Sequence, residues 1–139
     1  MRLACALLLG FGLLGCSGEA PYKGEKRYPV VGTVKFDGEP VHNGVITFAG
    51  KADPSKQFTS SGIILEGKYS IDENKGPNAG KYQVSVTWSK PTGKKRKDND
   101  SGETFDETKE VIPKKYNANS ELEAEIKPGE NTFDFDLKK

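Results

Sequence analysis

The chain is poor in the residues that most often carry chemistry. Of its 139 residues two are cysteine, Cys5 and Cys16, and one is histidine, His42. A single histidine makes neither a His-based metal site nor a Ser-His-Asp triad without help from other groups. Cys5 lies within an apolar leader, so removal of that leader before Cys16 leaves one thiol. One thiol excludes a disulfide inside the domain and a cysteine-rich zinc site. No P-loop, dinucleotide fingerprint, nucleophile elbow or zincin pattern is present. The residues therefore predict no catalytic group, no cofactor and no metal; an enzyme would have to work with Asp and Glu alone.

An excess of one charge is also missing. There are 21 Lys and Arg against 20 Asp and Glu, and Arg2 is the one charged residue of the leader. The remainder balances at 20 of each sign, which removes any global drive toward nucleic acid or acidic lipid. The longest apolar run, residues 3–14, is shorter than the about 20 residues a membrane-spanning helix needs. It has the length of a signal-peptide core. A buried helix is a poor alternative, because Gly10, Gly12 and Gly15 weaken it and it has no polar face.

What is present points to strands. The composition includes 16 Gly and 8 Pro, against one Met, with 34% hydrophobic residues. Such a balance favours short strands and many turns around a small core. Residues 16–28 are polar and aperiodic and read as a flexible tether. Residues 29–139 read as the domain. Residues 30–36 are rich in strand formers and end at Asp37-Gly38, a turn signal. Pro40 and Asn43-Gly44 precede the next strand, Val45-Ile46-Thr47-Phe48. Residues 58–65 and Lys68-Tyr69-Ser70-Ile71 flank Glu66-Gly67 and resemble a hairpin. Tyr82, Val84, Val86 and Trp88 alternate with Gln83, Ser85 and Thr87. Leu122, Ala124 and Ile126 alternate with Glu123 and Glu125. Phe133, Phe135 and Leu137 alternate with Asp134 and Asp136. One apolar and one charged face per strand predict antiparallel sheets on a shared core. The expected fold is an all-β, immunoglobulin- or transthyretin-like antiparallel β-sandwich of about seven strands.

Residues 89–110 break the alternation and are expected to form a long charged loop. Lys94, Lys95, Arg96 and Lys97 make its first half basic, and the run from Asp98 to Glu107 is largely acidic. The basic half is a candidate partner-binding loop, although the adjacent acid cancels its field over about 8 Å. Asp98, Asp100 and Glu103 are oxygen donors, but their spacing lacks the EF-hand order and its central Gly. Tyr69, Tyr82 and Trp88 would form a sugar-stacking platform if exposed; within alternating strands they read as core. His42 reads as a residue beside a turn.

Two resemblances add to this. Leu13-Leu14-Gly15-Cys16 resembles the lipobox of bacterial lipoproteins. That likeness implies cleavage after Gly15, a diacylglycerol on the Cys16 thiol and anchoring in a cell-envelope membrane. Ser17 stands where some bacteria read Asp as a retention signal, which points to the outer membrane. Two or more acyl chains anchor stably, at about 0.8 kcal/mol per buried CH2. The stretch from Val34 through Asp37-Gly38, Pro40 and Gly44 to Val45 is similar to the opening of carboxypeptidase-regulatory-like, or transthyretin-like, domains. Gly67-Lys68-Tyr69-Ser70-Ile71 and Gly80-Lys81-Tyr82-Gln83-Val84 are similar to their middle strands. Ile112-Pro113 through Tyr116-Asn117, and Pro128-Gly129-Glu130-Asn131 on to Leu137, resemble a recurrent ending of small lipoproteins of this type. The resemblance implies a non-catalytic accessory sandwich and brings no catalytic residue with it. The expectation is a membrane-anchored binding or structural module with an envelope protein or glycan as partner. The alternative is a carbohydrate-binding sandwich that uses exposed aromatics.

Overall fold

In a computed structural model that describes residues 24–51 and 58–139, the turn signals act as hinges between strands. Asp37 and Gly38 take φ values of 49° and 84°, and Glu66 and Gly67 take 50° and 75°. Two successive positive φ values define a type I′ turn, whose twist matches that of the strands it joins. The strands so connected are β1 (Val30–Phe36) with β2 (Glu39–Pro40), and β4 (Thr59–Leu65) with β5 (Lys68–Ile71). The others among the described residues are β3 (Gly44–Gly50), β6 (Gly80–Thr87), β7 (Ser89–Lys97), β8 (Thr104–Glu110), β9 (Leu122–Ile126), β10 (Asn131–Thr132) and β11 (Phe135–Leu137), with one 3-10 turn at Lys114–Tyr116.

The protein is an all-β sandwich. One curled sheet runs β10-β1-β5-β4-β3-β6-β9, and β2 and β11 also pair with β1. Its pairings are antiparallel from β1 to β9. At the other edge β10 and β11 run parallel to β1, a departure from the wholly antiparallel expectation. The inward residues of β6 and β9 follow the predicted alternation, with Tyr82, Val84, Val86, Ala124 and Ile126 buried, and Val30 and Val34 of β1 and Ile46 and Phe48 of β3 are buried in the same way. Phe48 sits at the centre, with the rings of Tyr69 and Phe133 at 6.3 and 6.4 Å. Full burial of such side chains stabilises by roughly 1.5–3 kcal/mol each.

β1 carries the closure. Its first residues, Val30 and Val31, pair with Asn131 and Thr132, and its last three pair with Phe135, Asp136 and Leu137. Between the two pairings, Phe133 and Asp134 cross over Gly32. A Cβ on Gly32 would lie 1.8 Å from the Phe133 carbonyl oxygen. That carbonyl accepts the Tyr69 hydroxyl at 2.8 Å. Burial pushes the Tyr69 pKa well above its ordinary value, so the phenol stays a donor. The Asp134 carboxylate accepts both the N–H and the hydroxyl of Thr33, each at 2.8 Å.

Three expectations are corrected. Residues 89–110 are not a loop: β7 and β8 form a separate two-stranded ribbon. Lys95 stands opposite Asp106, and Arg96 opposite Phe105. With eleven strands, two of them only two residues long, the count exceeds seven. The tether is also shorter than residues 16–28. Tyr28 N–H donates to Pro77 O at 2.9 Å, and Arg27 bridges Asn78. The buried Asn78 amide donates to the carbonyls of Glu25 and Lys26 at 2.7 and 3.1 Å. Residues 25–28 therefore dock against the turn after β5, where Gly76 leaves no room for a Cβ beside Tyr28 O.

Gly32→Ala is expected to destabilise the domain by about 3 kcal/mol, the upper range for an overpacked core site. Urea unfolding measures this. A loss near zero would show that the crossing does not constrain closure.

Candidate functional site

The β7–β8 ribbon is built from strands that bury almost nothing, so its position depends on its root. Three polar contacts set it. The Glu110 carboxylate accepts the Trp88 N–H at 3.0 and 3.2 Å and the Ile112 N–H at 2.8 Å. A charged acceptor on backbone donors is worth about 1.5–3 kcal/mol per bond. Val111 N–H donates to Trp88 O at 2.9 Å and completes the turn out of the ribbon. Lys90 stands 4.0 Å above the Trp88 ring and donates to both Glu39 oxygens at 2.8 and 3.0 Å. The ammonium is thus held by a ring face and a carboxylate, each worth about 1 kcal/mol at a partly exposed site.

Beside the root lies a recess of about 430 Å³ whose charged groups are Asp37, Glu39, Lys90, Lys109, Glu110 and Lys139. Lys139 N–H donates to Asp37 Oδ1 at 3.1 Å, and its ammonium lies 3.3 Å from Oδ2. That backbone donor, reinforced by the Lys139 charge, holds the Asp37 carboxyl below its usual range. The charges compensate one another and leave the recess without a dominant sign.

Along the ribbon, Lys94, Lys95, Arg96 and Lys97 are all exposed on β7. Lys95 lies 3.6 Å from Asp106, and Arg96 3.8 Å from Glu107, which also accepts the Thr92 hydroxyl at 2.9 Å. The register shifts between Pro91 and Lys95, and Gly93 takes a φ of 79°. Such a bulge twists the edge of a strand and blunts accidental pairing. Phe105 is half exposed on β8.

The tip is an ordered turn. Asp98 Oδ1 accepts the N–H groups of Asp100 and Ser101 at 2.8 Å each. Asp98 N–H donates to Glu103 O at 2.8 Å. These backbone donors, that of Ser101 first, hold the Asp98 carboxyl below its usual range. These donors occupy Asp98 Oδ1, and Asp106 and Glu107 face Lys95 and Arg96 across the ribbon, so much of the acidic run is engaged within the ribbon itself.

The other sequence candidates lie elsewhere. Tyr69, Tyr82 and Trp88 are buried, which removes them as a sugar platform. His42 Nδ1 lies 3.0 Å from Glu66 Oε2, with its ring 6.1 Å from Trp88. Cys16 lies outside the described residues. Sequence reasoning missed Glu39 and Glu110; their only signal is an acid placed next to a strand end.

The two ends of β1 separate the tether from the ribbon. Tyr28 meets Pro77 just before β1 begins, whereas Glu39 meets Lys90 just after β1 ends. Seven residues at about 3.3 Å each put roughly 23 Å between them.

No protein-family model matches the chain, and no curated protein matches it. A 9R-lipoxygenase from Cyanothece PCC8801 is similar at a TM-score of 0.37 and 12% identity, over 88% of this chain and 18% of that one. The chain thus spans under a fifth of that enzyme, and the likeness is too low to carry an argument.

Two outcomes follow from the ribbon's contacts. Glu110→Ala should speed amide exchange at Trp88 and Ile112 while leaving β3 and β6 protected. Equal acceleration in β3 would show a global effect rather than a local root. At the tip, the depressed Asp98 pKa means its bonds are complete above the ordinary carboxylate value, about 3.9, and are lost as pH falls through the lower folded value. The Ser101 amide shift should therefore titrate with a midpoint below that of a free Asp. A midpoint at the ordinary value contradicts the tip network.

Proposed function

We propose that this chain is an exported lipoprotein, cut after Gly15 and acylated on Cys16, whose sandwich is a non-catalytic binding or structural module of the cell envelope. The ribbon is its contact element, and Lys94, Lys95, Arg96 and Lys97 its most exposed charged strand. The observation that carries this reading is the separation of the two ends of β1. Residues 25–28 dock at one end, and the ribbon is rooted at the other. From Cys16 to Gly24 the chain reaches at most about 28 Å when fully extended. That reach exceeds the roughly 23 Å between the two ends of β1, so a lipid on Cys16 would hold the domain at the membrane without forcing one end toward it, and the docking of residues 25–28 opposite the ribbon root favours an outward ribbon.

The reading assigns the outer membrane as the site, on the strength of Ser17 after the acylated cysteine. The sandwich resembles carboxypeptidase-regulatory-like domains in its Asp37-Gly38, Pro40 and Gly44 pattern. The partner is an envelope protein or glycan reached by the ribbon. The charge balance of the ribbon favours a partner that carries both signs over a uniform polyanion.

Two substitutions test the two halves of the proposal. Cys16→Ser should release the protein into a soluble fraction or stall its processing; continued normal processing and membrane retention contradict the anchor. Replacement of residues 92–107 by a short turn should leave the unfolding transition of the sandwich in place and abolish partner recovery from cross-linked membranes. Undiminished recovery removes the ribbon from the proposal.

A further inference from the structure

Among the described residues five large apolar side chains are exposed: Val31, Val45, Ile63, Leu65 and Phe105. Phe105 belongs to the ribbon. The other four share the outer face of the curled sheet, as their chain neighbours Val30, Ile46 and Ile64 point the opposite way and are fully buried. Val45 pairs directly with Ile63, and Val31 with Ser70. Ile63 and Leu65 are 65% and 56% exposed. Single exposed aliphatics are ordinary, but four on one face mark an interaction surface.

The surroundings select the occupant. A groove of about 850 Å³ passes over β1, β5 and β4 beside these residues. Its charged groups are two cations, Lys68 and Lys75, and two anions, Asp72 and Asp134. An anionic bilayer or a polyanion would meet both carboxylates. A twofold interface accommodates both signs within one patch, since each copy presents the same surface to the other and a cation can meet an anion across the axis. The remaining polar groups are small: Ser61 and Thr47 bond each other at 3.0 Å and do not stand in the way of a second sheet. Sheets stack face to face at about 10 Å when their facing side chains are of this size.

We propose that the outer face of β1, β5, β4 and β3 is a self-complementary interface for a second copy of this chain, centred on Ile63. The patch contains no residue of the ribbon, although Thr87, the last residue of β6 before it, pairs with Val45 at the edge of the patch.

The test is cross-linking of the full chain in membranes. Ile63→Cys treated with a short bismaleimide should give a covalent dimer several-fold above two references: the chain without the substitution, and Phe105→Cys. Adding Val45→Asp to Ile63→Cys should abolish that product while a cooperative unfolding transition shows the domain still folded, because the Val45 side chain points outward from β3. A yield at residue 63 no greater than at residue 105, or one that persists with Val45→Asp, overturns the proposal. So does a residue-63 thiol that reacts with a lipid-soluble maleimide but not with a water-soluble one, which would give the face to the bilayer.

Discussion

Closure of this sandwich depends on one crossing, where the Phe133 carbonyl passes over Gly32. Among the described residues β1 is the strand that pairs with four others: β5, β2, β10 and β11. It can do so because the C-terminal chain changes from β10 to β11 halfway along it, and the change needs space that a side chain would fill. Tyr69 and Asp134 then satisfy the backbone groups that the change leaves without ladder partners. A small core without a disulfide has few other means of closing its edges, so this local arrangement carries an unusual share of the closure.

Because β1 is held along both sides, what is attached at its two ends is held as well. The start of β1 receives residues 25–28 through Asn78 and Pro77. Its far end carries the Asp37-Gly38 turn and Glu39, on which Lys90 and the ribbon root lean. The ribbon itself has no core. Its strands are paired by their backbone ladder with two exposed charge pairs across it, and it is kept in place by Glu110, whose carboxylate replaces the backbone partners that Trp88 and Ile112 would otherwise lack. A rigid root under a mostly solvated ribbon presents charge at a defined place without burying it.

The sandwich could be read from the sequence wherever side-chain period or turn chemistry is strong. Tyr82, Val84 and Val86 have an uninterrupted period of two, and Asp37-Gly38 and Glu66-Gly67 supply the residues that positive φ demands. The ribbon could not be read in this way, because both of its faces meet water and its strands have no apolar period. The docking of residues 25–28 depends on Asn78, some fifty positions away, and nothing local in a polar stretch announces it. The outer apolar face was hidden for the opposite reason. Ile63-Ile64-Leu65 is a continuous apolar run, and only the pairing geometry shows that Ile64 alone is buried. Cys16 lies outside the described residues and is legible through the short Leu13-Leu14-Gly15-Cys16 pattern alone.

With residues 25–28 docked at one end of β1 and the ribbon rooted at the other, the proposed anchor on Cys16 would leave the ribbon farther from the membrane than the docked tether. Energy transfer from a dye to acceptor lipids in vesicles measures this directly, with the dye placed at residue 74, beside the docked tether, or at residue 105 on the ribbon. The account predicts strong transfer from residue 74 and weak transfer from residue 105. Equal transfer from the two positions, or stronger transfer from residue 105, would contradict it.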